Sequence, residues 1–264
     1  MILIAVWMGI VEGLTEFLPV SSTGHLILAG HFLNFTGGIA STFEVFIQLG
    51  AILAIVILYF PRFMGLIATR EKTGFSGFRG LTLLFLTTLP ALILGALLHS
   101  FIKEKLFNPG TVAIGLAVGS FWIFIVEKFY RAEKGKEGLD ILTFRDALLI
   151  GLFQCLAMWP GVSRAGATIL GGMMLGLNRK TATEYSFFAA APVIAAASLL
   201  DLYKSLDVIT ASQIPVFAVG FVVSAISALL IVKFFIQYVS RNSLNAFAWY
   251  RLALAALVLI FWKG

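Results

Sequence analysis

Charge is scarce in this chain: Asp, Glu, Lys and Arg make up 12% of its 264 residues, against 60% hydrophobic residues. That balance leaves too little polar surface to cover a soluble globule, so a soluble protein is excluded and an integral membrane protein is what remains. Cysteine is nearly absent. The single Cys155 excludes an internal disulfide, and its apolar neighbours mark it as a packed thiol without a role. No Lys or Arg occurs among the first eleven residues, so the charged start of a cleavable signal peptide is missing and the N-terminus is expected to stay in the mature protein. The basic residues that give the net charge of +6 never cluster into a stripe, which argues against nucleic acid. Their excess fits cytoplasmic loops and anionic headgroups, making membrane lipid the partner class.

What the chain does have is long apolar runs. Six reach the roughly 20 residues that a bilayer crossing needs, at 42–60, 81–99, 110–128, 182–200, 214–237 and 246–262. Two further regions, 1–34 and 144–177, are apolar but interrupted at Pro19 and at Pro160-Gly161. Their pieces have the length of re-entrant segments, and both read as helical hairpins that dip into the membrane and return. The expected fold class is an all-α polytopic membrane protein.

The two interrupted regions align without a gap at an offset of 142, GIVEGLTEFLPVSSTGHLIL on GLFQCLAMWPGVSRAGATIL, with seven identities in twenty positions. This predicts an internal repeat. Residues 1–128 form one half and 144–264 the other, joined by a charged linker at 129–143. Each half holds one hairpin and three crossings, and an odd number of crossings inverts one half relative to the other. The hairpin tips should then meet near the midplane. With the N-terminus outside, Arg62, Arg70, Lys72, Arg79, Lys128, Arg131, Lys134, Lys136, Arg145, Arg179, Lys180, Lys233, Arg241 and Arg251 fall inside. Only Lys103, Lys105, Lys204 and Lys263 fall outside, a strong inside bias that puts the first hairpin on the outer face.

The chemistry-bearing residues lie in the hairpins. Glu12 and Glu16, four apart on one helical face, are too costly inside a membrane to be idle. They suit an oxygen-liganded divalent cation, Mg²⁺ or Ca²⁺, completed by water and substrate phosphate. Pro19 ends that helix. Ser21, Ser22 and Thr23 then cap a second helix expected to start near Gly24, and its free N–H groups offer an anion site. His25, one turn further, is a candidate acid or base. In the second hairpin Ser163 is the cap, and Arg164, with no acidic neighbour in sequence, is positioned to grip phosphate with its planar fork. Glu44, Gln48 and Glu184 open the crossings after each hairpin and either support the site or sit at the interface.

EGLTEFLPVSSTGHL and PGVSRAGAT closely resemble the two signature motifs of the bacterial undecaprenyl-pyrophosphate phosphatase family, and GLNRKTATEYSF and the late AVGF extend the resemblance along the chain. Ala165 departs from the PG-x-SRSG that many members carry, which puts in doubt only a hydroxyl at that position. The resemblance implies an inner-membrane enzyme of cell-wall synthesis, dependent on a divalent cation, that removes the terminal phosphate of a C55 polyprenyl diphosphate. It also implies bacitracin resistance on overexpression; the active site is expected toward the outer side from the charge bias of the loops. It assigns Glu12 and Glu16 to the acidic motif, Ser22 and His25 to nucleophile or proton-transfer positions and Arg164 to phosphate. The attacking group stays open between Ser22, His25 and metal-activated water. The oligomeric state stays open as well, a homodimer included.

The rival class is a transporter or flippase of a phosphorylated lipid, since inverted repeats with broken helices are a transporter architecture. Transport needs an anion site with alternating access. Hydrolysis needs a proton donor and a nucleophile in addition, and Glu12, Ser22 and His25 supply them.

Overall fold

A computed structural model describes residues 1–67, 74–106, 108–130, 135–205 and 209–261. Arg70, Lys72, Arg131, Lys134 and Lys263 of the charge count therefore lie outside the described residues. The described chain is all α, in eleven helices: α1 (Ile2–Thr15), α2 (Ser22–Phe32), α3 (Gly38–Leu58), α4 (Phe60–Ile67), α5 (Gly77–Phe101), α6 (Pro109–Phe129), α7 (Phe144–Cys155), α8 (Arg164–Met174), α9 (Arg179–Ser205), α10 (Ile214–Val239) and α11 (Asn245–Phe261). Five stretches are long and apolar enough to cross a membrane, namely α3, α5 through Leu98, α6, α9 and α10 with the turn before it. The run at 246–262 corresponds to α11, whose 17 residues fall at the short end of crossing lengths. Large apolar side chains remain exposed on these helices, among them Phe85, Phe121, Leu230 and Leu259, which water would penalise and hydrocarbon does not.

The breaks fall where the sequence places them, with wider gaps. The first helix stops at Thr15 rather than Leu18, because Pro19 has no N–H to return to the Thr15 carbonyl and its ring crowds that carbonyl. The second starts at Ser22, with Ser21 as its cap. Shifted by 142, α2 falls on α8 residue for residue, and Ser21 and Ser163 share a left-handed backbone (φ 70° and 79°) that only a few per cent of non-glycine residues adopt.

Packing also corresponds between the halves. Helix α1 lies chiefly against α10 and α7 chiefly against α5, so each hairpin's first helix leans on a crossing from the other half. The matched glycines Gly9 and Gly151 permit both approaches. A Cβ at Gly9 would stand 2.7 Å from the Gly220 carbonyl, and one at Gly151 would stand 2.6 Å from that of Thr87.

Candidate active site

The chain between α1 and α2 and the chain between α7 and α8 meet. Ser163 Oγ, at the second break, donates to the Leu18 carbonyl at the first, at 3.5 Å. Both breaks also converge on Arg251 of α11, which is wholly buried. Its guanidinium donates to the carbonyls of Pro19 (2.9 Å), Gly161 (2.9 Å) and Val162 (2.9 Å), and to those of Gly115 (3.2 Å) and Leu116 (3.3 Å) in α6. All five bonds end on backbone carbonyls. A five-donor fork is the one side chain able to bind so many at once. Counting Arg251 among the inside surface charges is therefore wrong. The charge bias treats any arginine near a helix start as solvated, whereas this one ties the two tips to α6.

The tips enclose a cavity of about 330 Å³. Its lining includes Glu16, Ser21, Ser22 and Thr23 from the first hairpin and Ser163 and Arg164 from the second, together with Gln48 and Gln154. Ser22 Oγ donates to Glu16 Oε2 at 2.5 Å, and Arg164 Nη2 donates to Glu16 Oε1 at 3.0 Å. The second fork nitrogen of Arg164 donates to the Ser186 carbonyl at 3.1 Å. Its Nε is buried without a partner among the described residues. Sequence gives Arg164 no acidic neighbour, but the fold supplies one 148 positions away. Helices α2 and α8 both begin at this cavity, capped by Ser21 and Ser163 through the N–H groups of Gly24 (3.4 Å) and Gly166 (3.1 Å). Two positive helix ends and a guanidinium thus face one space, which favours an anion.

Glu12 is wholly buried, and neither of its carboxylate oxygens has a hydrogen-bond partner among the described residues. A buried, unpartnered carboxylate requires a proton or a cation; Glu12 does not line the cavity, and a divalent cation there would draw its protein oxygens from Glu12 alone, because Glu16 beside it is engaged with Ser22 and Arg164. Among the described residues no group of three or more His, Cys, Asp or Glu could hold a metal, so water and substrate phosphate must complete such a shell.

His25 stands apart from this cluster. Its Nδ1 bonds the Ser21 carbonyl (2.7 Å), so that nitrogen carries the proton and Nε2 accepts from the Tyr250 hydroxyl (2.7 Å), whose ring stacks on the imidazole. It does not line the cavity. Gln48 does, whereas Glu44 reaches toward Gly30. Sequence reasoning missed Gln154 and Arg251. Gln154 is the repeat counterpart of Glu12, and Arg251 is a lone cation within an apolar run, both signals available in the sequence.

Fold and site define a class: an α-helical multi-pass membrane protein in which two broken hairpins bring a serine, a glutamate and an arginine to one cavity. The family model for the bacitracin resistance protein BacA matches residues 5–257, so the chain belongs to that family. It is 58% identical over 256 residues to the undecaprenyl-diphosphatase of Maridesulfovibrio salexigens, covering 97% of each chain. It is 55% identical over 260 residues to that of Solidesulfovibrio magneticus, covering 98% of each. With the undecaprenyl-diphosphatase of Lawsonia intracellularis it shares 50% identity over 256 residues, 97% of this chain and 96% of the relative.

Proposed function

We propose that this protein hydrolyses undecaprenyl diphosphate to undecaprenyl phosphate and inorganic phosphate within the membrane, returning the lipid carrier to cell-wall synthesis. The observation that carries the reading is the Ser22–Glu16–Arg164 chain of hydrogen bonds at the mouths of two helices. A serine hydroxyl bonded to a carboxylate is a nucleophile with its base. In this reading Ser22 Oγ attacks the terminal phosphorus and its proton passes to Glu16. The bond between that phosphorus and the bridging oxygen breaks, and the prenyl monophosphate leaves with the bridging oxygen. Water then attacks the phosphoserine, its hydroxyl joining the phosphorus and its other proton returning to Ser22 Oγ, while Glu16 passes the proton it took to the departing phosphate and is a carboxylate again. Arg164 and the N–H groups of α2 and α8 stabilise charge on the phosphoryl oxygens. A divalent cation held by Glu12, with Glu16 beside it, would neutralise further charge on the diphosphate. His25, with both ring nitrogens engaged, holds the α2 end against α11.

We further propose that the halves are inverted and the hairpins re-entrant, entering from opposite faces, with the site toward the outer side of the cytoplasmic membrane. The exchanged packing of α1 on α10 and α7 on α5 supports this reading, as does the basic bias of the loops. The test is phosphate release from a long-chain prenyl diphosphate by purified protein, with and without a chelator. Binding without phosphate release would favour the flippase reading instead.

A further inference from the structure

Gln154 of α7 lines the cavity and has no part in the scheme above. Its side chain is almost fully buried, the residue being 3% exposed. Nε2 donates to the Thr87 carbonyl of α5 at 3.1 Å. That bond settles which prong of the amide is which, because only the NH₂ group can donate to a carbonyl oxygen. Oε1 is therefore the other prong, buried and without a hydrogen-bond partner among the described residues. A buried acceptor left unpaired is costly, so a donor is expected to meet it when the site is at work.

The amide is rigidly mounted. Gly151, one turn before Gln154, lets α7 approach the Thr87 carbonyl closely enough for the glutamine to reach it. Thr87 is itself wholly buried, and its Oγ1 donates to the Ala147 carbonyl of α7 (2.9 Å) and shares a hydrogen bond with the Tyr185 hydroxyl of α9 (2.6 Å). The anchor of Gln154 is thus tied to two helices. A phosphoryl group gripped by Arg164 and the two helix ends presents acceptor oxygens, and one acceptor does not bond another. The donor that the reaction brings to this space is water. An amide also suits the place, since a carboxylate at this point of the lining would repel the phosphoryl oxygens. Glu12, the repeat counterpart of Gln154, lies outside the lining.

We infer that Gln154 Oε1 holds the water that cleaves the phosphoserine. The inference rests on the serine route proposed above and adds to it the group that directs the second step. One O–H of the water donates to Oε1, which leaves a lone pair of its oxygen to face phosphorus. That pair forms the new P–O bond while the bond from phosphorus to Ser22 Oγ breaks and its electrons pass to Oγ. The proton bonded to Oε1 stays on the hydroxyl that joins the phosphate, and the other returns to Ser22 Oγ. Gln154 neither gains nor loses a proton. Ser22 stands on the first hairpin and Gln154 on the second, so serine and water approach the phosphorus from different walls of the cavity, as in-line displacement demands.

The experiment measures kcat, KM and protein-bound phosphate for wild type and Gln154→Met, using undecaprenyl diphosphate radiolabelled in its terminal phosphate and quenched with acid during turnover. Met keeps the length of the side chain and removes the acceptor. Misplacing the water should lower kcat about tenfold or more. Because kcat/KM counts only the steps up to departure of the prenyl monophosphate, KM should fall in proportion and kcat/KM should stay within about twofold. Labelled phosphoserine should accumulate at Ser22. Gln154→Asn keeps the amide but draws its oxygen back by one methylene, and should give the same split if the Met variant does not fold. A fall in kcat/KM equal to the fall in kcat, without labelled protein, would mean that Gln154 only braces α7 on α5, and would overturn the inference. Failure of the underlying reading shows elsewhere. Phosphate release that persists in Ser22→Ala removes the phosphoserine and this inference with it, whereas an inert Ser22→Ala beside a Gln154→Met of normal kcat overturns the water site alone.

Discussion

Replacing Arg251 with Met keeps most of the apolar stem and removes the five donors. The Gly115 and Leu116 carbonyls lie inside α6 and keep their helical partners. The carbonyls of Pro19, Gly161 and Val162 lie in the two breaks and lose the bonds that gather them. A buried acceptor left unpaired costs about 1–3 kcal/mol, so three of them cost about 3–9 kcal/mol, toward the lower figure where water reaches the breaks. Relief of the buried, carboxylate-free guanidinium offsets part of that cost. A net loss of about 3 kcal/mol corresponds to a fall of roughly 6–12 °C in melting temperature for a chain of this size. Because the same carbonyls flank Glu16, Ser22 and Arg164, turnover should fall with the melting temperature. Arg251→Lys keeps the charge but spans fewer acceptors and should recover only part of either loss. Thermal melts of purified protein in detergent, paired with phosphate release, make the measurement. An Arg251→Met protein that melts within about 2 °C of wild type and turns over normally would refute the view that this arginine joins the two tips.

Arg164→Ala removes one partner of a buried ion pair, a change that typically costs about 2–5 kcal/mol; on the transition state this is a loss of about 30-fold to several thousand-fold, and Arg164→Lys should fail too because it lacks the fork. Steady-state rates within a few-fold of wild type would take Arg164 out of the site. Glu12→Gln should abolish both turnover and its dependence on divalent cation, read by titrating Mg²⁺ or Ca²⁺ back into chelated enzyme; unchanged metal dependence would move the cation elsewhere. In a Cys155→Ala background, Lys136→Cys should resist an impermeant thiol reagent in intact cells and react after permeabilisation, and labelling of intact cells would reverse the proposed orientation.

Much of the candidate site is legible in the sequence. Carboxylates, hydroxyls and an arginine inside apolar runs are costly enough to announce themselves. Pro19 and Pro160-Gly161 mark breaks by steric rule, and the 142-residue offset carries over to helix bounds and to the backbone of Ser21 and Ser163. Arg251 was misread because charge counting records a residue's position along a helix and not the face it presents. The partners of His25, the Ser21 carbonyl and Tyr250, include a residue 225 positions away that no local pattern reveals.

The sequence by itself determined that this is an apolar, all-helical chain with two helix breaks at matching places, because hydropathy, proline and capping residues act over a few neighbouring positions. Only the tertiary structure decided which groups meet. Glu16 finds Arg164, and Pro19 and Gly161 find Arg251, since each of these juxtapositions joins segments far apart in the chain that nothing local connects.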